Sequence, residues 1–106
     1  MYDGAFTPKG PTVLVGVNAV QVPTSDGTAA TSYRVRNILS TAQYLTWYPK
    51  TNTPPNITAT APTASTPAPF TMGFAGSSTE TVVFPANCWL KADTVAAFEV
   101  TPGEGV

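Results

Sequence analysis

The sequence predicts a single all-β domain, an antiparallel β-sandwich or jelly-roll-like barrel of about six to eight short strands. Three observations predict it. Apolar residues alternate or cluster in short runs rich in β-branched and aromatic side chains, and no segment holds a helical period. Pro, Gly, Asn and Ser fall between those runs, where turns are needed. A chain of 106 residues has room for one domain and one core.

The elements follow in order. Met1–Pro11 reads as an N-terminal arm, and residues 12–101 as the domain proper. Thr12–Val22 is a valine-rich run bounded by Pro11 and Pro23. Val13, Val15, Val17 and Ala19 share one face of it, whereas Leu14, Asn18, Val20 and Val22 share the other. Gly16 is placed to mark a bulge that swaps faces, so one long bent strand or two short ones both fit. Thr24–Thr28 supplies a turn around Asp26-Gly27, a pair suited to positive φ.

Ser32–Ile38 is the clearest strand, with Tyr33, Val35 and Asn37 set against Arg34, Arg36 and Ile38. In Gln43–Tyr48, Leu45 and Trp47 oppose Tyr44, Thr46 and Tyr48. Two alternating runs this close together predict an antiparallel hairpin. Pro49–Pro69 then changes character. Its prolines cannot donate to a ladder, so it reads as a long Pro/Thr-rich loop of the kind that carries function or is disordered. Asn56–Ala59, containing Ile57, is the one piece suited to pairing at a sheet edge. The Asn56-Ile57-Thr58 sequon has meaning only in a secreted chain. Strands resume at Phe70–Phe74, Thr79–Phe84, Cys88–Ala92 and Val95–Thr101, and residues 102–106 read as a C-terminal tail. Tyr33, Trp47, Phe84, Trp89 and Phe98 are the expected aromatic core.

Composition argues against chemistry. The chain has no histidine, one cysteine and 10 % charged residues. Catalysis needs a base, a nucleophile or a metal. The acids are Asp3, Asp26, Glu80, Asp93, Glu99 and Glu104, several at turns or ends where solvated hydrogen bonding is their ordinary role. A carboxylate pair such as Glu80 with Glu99 could meet across neighbouring strands, although isolated strand carboxylates ordinarily face solvent. Ser and Thr hydroxyls have only Lys9, Lys50 and Lys91 to serve as bases. No enzyme, cofactor or metal site is expected. Cys88 has no partner for an intramolecular disulfide and reads as an inert core thiol. Gly73–Ser78 is a glycine turn without the lysine and helix of a phosphate loop. Arg34 and Arg36 share a strand face, where a solvated face or an intersubunit ion pair is the ordinary reading. A net charge of −1 gives no field to attract nucleic acid or an anionic membrane, and neither is an expected partner. The sequence shows no basic segment followed by an apolar run at its start, and no stretch long enough to span a membrane as a helix.

Three features together resemble a group of small β-rich proteins of tailed bacteriophages. They are Tyr33-Arg34-Val35-Arg36-Asn37 followed by Tyr44-Leu45-Thr46-Trp47, the late strand Phe84-Pro85-Ala86-Asn87-Cys88-Trp89-Leu90, and the ending Val100–Val106. The resemblance spans most of residues 33–106 and carries over no catalytic residue. It implies a virion protein assembled in the bacterial host cytoplasm, of the capsid decoration (cement) or head and tail accessory kind. The major capsid protein or other virion subunits are then the expected partners, with self-association as a trimer or dimer. Met1–Pro11 and Pro49–Pro69 would act as contact arms, and the candidate interface residues are Tyr2, Phe6, Arg34, Arg36, Tyr44, Tyr48, Ile57 and Phe70. The alternative is a carbohydrate- or receptor-binding module of a phage tail or head fibre, which would stack sugars on Tyr44 and Tyr48.

Overall fold

The valine-rich run after Pro11 forms two strands in two different sheets, and the chain turns the corner at Gly16. In the computed structural model, which describes residues 6–25, 27–51, 53, 70–85 and 87–105, nine strands form and no helix. They are β1 (Thr7–Pro8), β2 (Val13–Val15), β3 (Val20–Gln21), β4 (Ser32–Asn37), β5 (Gln43–Tyr48), β6 (Thr71–Phe74), β7 (Thr79–Val82), β8 (Trp89–Ala92) and β9 (Phe98–Glu104). One antiparallel sheet runs β1-β9-β4-β7, with β2 also paired to β9. The other runs β3-β8-β5-β6. Gly16 is needed at the corner because a Cβ there would lie 2.8 Å from the backbone nitrogen of Ala96. The count exceeds the expected six to eight because that run splits and the expected arm contributes β1.

The two sheets pack face to face. Tyr33 and Val35 from β4, Val15 from β2, and Phe98 and Val100 from β9 meet Leu45, Phe74, Leu90 and Ala92 of the other sheet. Phe74 and Phe98 meet edge to face across the gap, with centroids 5.2 Å apart, and Tyr33 lies 5.6 Å from Phe84. Burial of side chains such as Leu45, Leu90 and Phe98 is worth about 1.5–3 kcal/mol each and supplies the driving force for this packing.

Two expectations are corrected. Ser32–Ile38 and Gln43–Tyr48 do not form a hairpin: β4 pairs with β7 and β9, and β5 pairs with β6 and β8. The connection is an arch between the sheets, and Asn37 builds it. Its backbone N–H donates to Ser78 O, and its Oδ1 accepts the N–H of Leu39. Its Nδ2 lies 3.0–3.2 Å from the carbonyl oxygens of Thr41, Phe74 and Ala75. A buried amide with this many local partners turns the backbone out of the sheet after β4. The second correction concerns Trp89, which sits opposite Tyr48 on the outer face of its sheet while Leu90 and Ala92 point inward.

Thr7–Pro8 and residues 102–104 also join the sheet, where the sequence suggests an arm and a tail. β9 continues through Pro102 and Gly103, both buried, to Glu104. A proline inside a sheet leaves its neighbour without one donor. Here Pro102 O accepts the N–H of Lys9 at 2.8 Å, and Lys9 O accepts instead from Ser25 at 2.8 Å, so the missing donor is replaced. Tyr2, Ile57 and nearly all of the Pro49–Pro69 segment lie outside the described residues.

Candidate interaction surfaces

Of the sequence-predicted interface residues, the fold places Phe6, Arg34 and Arg36 on one outer face and Tyr44, Tyr48 and Phe70 on or beside the other, whereas Tyr2 and Ile57 lie outside the described residues. On the β1-β9-β4-β7 sheet, alternation along β4 turns Arg34 and Arg36 outward. Arg34 Nε donates to Thr81 Oγ1 at 3.0 Å, and its guanidinium lies 4.6 Å from the centroid of the Phe6 ring. Phe6 also covers Gly103, where a Cβ would meet the ring at 2.5 Å. Arg36 Nη1 pairs with Glu99 Oε1 at 3.2 Å, both side chains about half exposed. Each arginine therefore has a partner inside its own chain. Exposed pairs of this kind contribute only about 0–1 kcal/mol to stability.

The other sheet carries Tyr44 and Tyr48 on its outer face. The Tyr44 ring lies across Gly73, where a Cβ would meet its Cε2 at 2.9 Å. Tyr48 is in register with Trp89, whose Nε1 donates to Thr51 O at 3.3 Å. Between the two tyrosines Thr46 is buried and shares a 2.8 Å hydroxyl contact with Thr71. Phe70 begins the β6 edge with a φ of 57°. It rests on Trp47 at 4.8 Å and meets Tyr48 edge-on at 6.4 Å, yet remains 49 % exposed.

A third surface was not singled out by the sequence. Leu14, Val17, Val20, Val95 and Ala96 line a shallow apolar concavity of about 210 Å³ where β2 turns toward β3. Leu14, Val17 and Val95 are 53 %, 43 % and 70 % exposed. Val95 reads in the sequence as the start of a strand, but the strand begins at Phe98 and residues 93–96 form a tight turn. Ala96 adopts a φ of 54° in that turn, a conformation costly for a residue with a Cβ. The signal available was the unbroken Val95-Ala96-Ala97-Phe98 run, too apolar for an ordinary exposed turn.

Several groups with chemical potential, Asp93, Glu99 and Cys88 among them, are engaged in the fold. Glu99 faces outward with Arg36, whereas Glu80 is in register with Val35 and so falls on the opposite face, two strands away. The carboxylate dyad does not form. Asp93 Oδ1 accepts the N–H of Tyr44 at 3.2 Å. Cys88 is buried, and burial pushes its thiol up to about 11, so it carries its proton at neutral pH. Burial also raises Tyr33, and the nearby Cys88 adds to that rise. Among the described residues no cluster of His, Cys, Asp or Glu has the makings of a metal site, and no helix is long and apolar enough to cross a membrane.

No protein-family model, no curated protein and no solved structure matches this chain.

Proposed function

We propose that the chain is a non-enzymatic structural protein of a phage virion, a capsid decoration subunit that bridges neighbouring major capsid subunits. One observation carries the reading. Ionisable groups such as Cys88, Asp93 and Glu99 are committed to core, turn and ion pair, while three large aliphatic side chains surround one uncharged concavity on the surface. That is a surface suited to protein contact. Contiguous exposed apolar surface marks sites of contact with protein, membrane or ligand. The resemblance of residues 33–106 to small phage proteins supplies the class of partner. A jelly-roll-like arrangement of the sandwich, with Pro49–Pro69 as a contact loop, belongs to the same proposal.

The test is rebinding. Particles of the encoding phage that lack this chain are incubated with purified protein and sedimented. Saturable co-sedimentation is expected, with Leu14→Glu and Val95→Glu weakening it about tenfold or more, the size of a ~1.4 kcal/mol loss. No binding by the unaltered chain contradicts the proposal.

A second reading has one observation in its favour. Tyr44 over Gly73, on the same face as Tyr48 and Trp89, is suited to an aromatic platform for a sugar ring. A carbohydrate- or receptor-binding module of a fibre would lose glycan binding in Tyr44→Ala/Tyr48→Ala while still assembling.

A further inference from the structure

We propose that residues 6–9 form an exchangeable arm, which leaves its own β9 and takes the equivalent seat on a second copy of this chain. The seat is specific. Phe6 lies on the bare backbone of Gly103 and under the Arg34 guanidinium, and Thr7 and Pro8 pair with Glu104 and Gly103. Its outer part is peripheral, since Thr7 and Pro8 are both exposed and form only two register pairs, while Lys9 holds its base through Pro102 O, the Ser25 N–H and Thr28 Oγ1.

What joins the arm to the body is a defect in an otherwise continuous edge. β1 and β2 both pair with β9, but not in one register. Lys9 N–H bonds to Pro102 O, and Thr12 and Thr101 touch through their hydroxyls at 2.7 Å, so Gly10 and Pro11 are two extra residues opposite none on β9. A bulge of this kind bends and weakens the ladder. Straightening it swings residues 6–9 off the sheet, and six residues extended from Thr12 reach about 20 Å. Every contact the arm gives up is regained in the same chemical form on a neighbour, which is why exchange of an identical element is a low-cost route to a closed oligomer. The neighbour presents the same Gly103 notch, the same arginine and the same edge. Reciprocal exchange closes a dimer, and one-way exchange closes a ring. The inference holds whether or not the assembly is a virion.

The experiment uses the full chain with Thr7→Cys and Glu104→Cys, two exposed register partners whose spacing of about 5.5 Å suits a disulfide. Concentrated protein is oxidised, denatured without reductant and sized, beside each single variant. Covalent dimers or larger closed species in the double variant, beyond those of either single variant, are expected. Cross-linking confined to monomers, or none at all, overturns the proposal. A second variant reads the seat itself. Gly103→Ala places a Cβ against Phe6 and Thr7 O while leaving the β4 pairing of β9 intact. The oligomer seen by light scattering should fall to monomer, and an unchanged oligomer likewise overturns it.

Discussion

Asn37 and Cys88 show how single residues set the properties of this domain. Asn37 is fully buried, and its amide answers three carbonyl oxygens and one N–H at the arch between the sheets. Asn37→Ala takes the amide away from Thr41 O, Phe74 O and the Leu39 N–H, while Ala75 O keeps the N–H and hydroxyl of Ser78; each buried group left unpaired costs about 1–3 kcal/mol. The variant should lose roughly 2–4 kcal/mol in urea unfolding; a loss below about 0.5 kcal/mol would mean that the amide does not hold the arch. Cys88 makes stability depend on alkali. Its thiol rises from an ordinary 9.0 to about 11 in the fold. Below about pH 9 both states keep the proton and stability is flat; between there and about 11 the unfolded chain loses it first, so stability falls as pH rises. The size is roughly 2–3 kcal/mol, and Tyr33, also raised, adds in the same direction. Unfolding at about pH 8 and about pH 11 should show a smaller drop in Cys88→Ala than in the unaltered chain. Equal drops would show that the buried thiol is not the source.

At the scale of elements, alternation was legible and pairing was not. The two faces of Ser32–Asn37 follow from the sequence, with Tyr33, Val35 and Asn37 inside and Arg34 and Arg36 outside. Which strand lies beside it does not, because a connection as short as Ile38–Ala42 serves a hairpin or an arch equally well. Only the burial of an asparagine on the apolar face hinted at the arch. The same limit applies to Pro102, which argues against a central strand until Ser25 is seen to supply the donor that Lys9 O would otherwise lack. Strand β7 illustrates protection at an edge. Glu80 sits on the face of Val35 at the end of its sheet, an inward-turned charge in a Thr-Val-rich stretch. Glu80→Val should leave unfolding within about 0.5 kcal/mol of the original but raise aggregation in light scattering, because the uncharged edge then runs from Thr79 to Phe84. Unchanged solubility would assign Glu80 no protective part.

At the scale of the molecule, two small sheets bury one core and leave their outer faces and an aliphatic concavity open to solvent. The sequence made the all-β class plain through periodicity and turn residues. The contact surfaces were less legible. Phe6, Arg34 and Arg36 do share one face, and Tyr44 and Tyr48 another, but the arginines are spent on Thr81, Phe6 and Glu99 within the chain. The concavity arises from residues distant in sequence, brought together by the Gly16 corner and the turn at Ala96, and such convergence is a property of topology rather than of any local pattern. The most direct measurement of the proposed virion role is the number of copies per particle, by quantitative mass spectrometry of purified virions of the phage that the proposal takes to encode this chain. The account predicts hundreds of copies, at parity with the major capsid protein or a simple fraction of it. A handful would place the chain at the portal, tail or fibre, and its absence from the particle would contradict the virion reading outright.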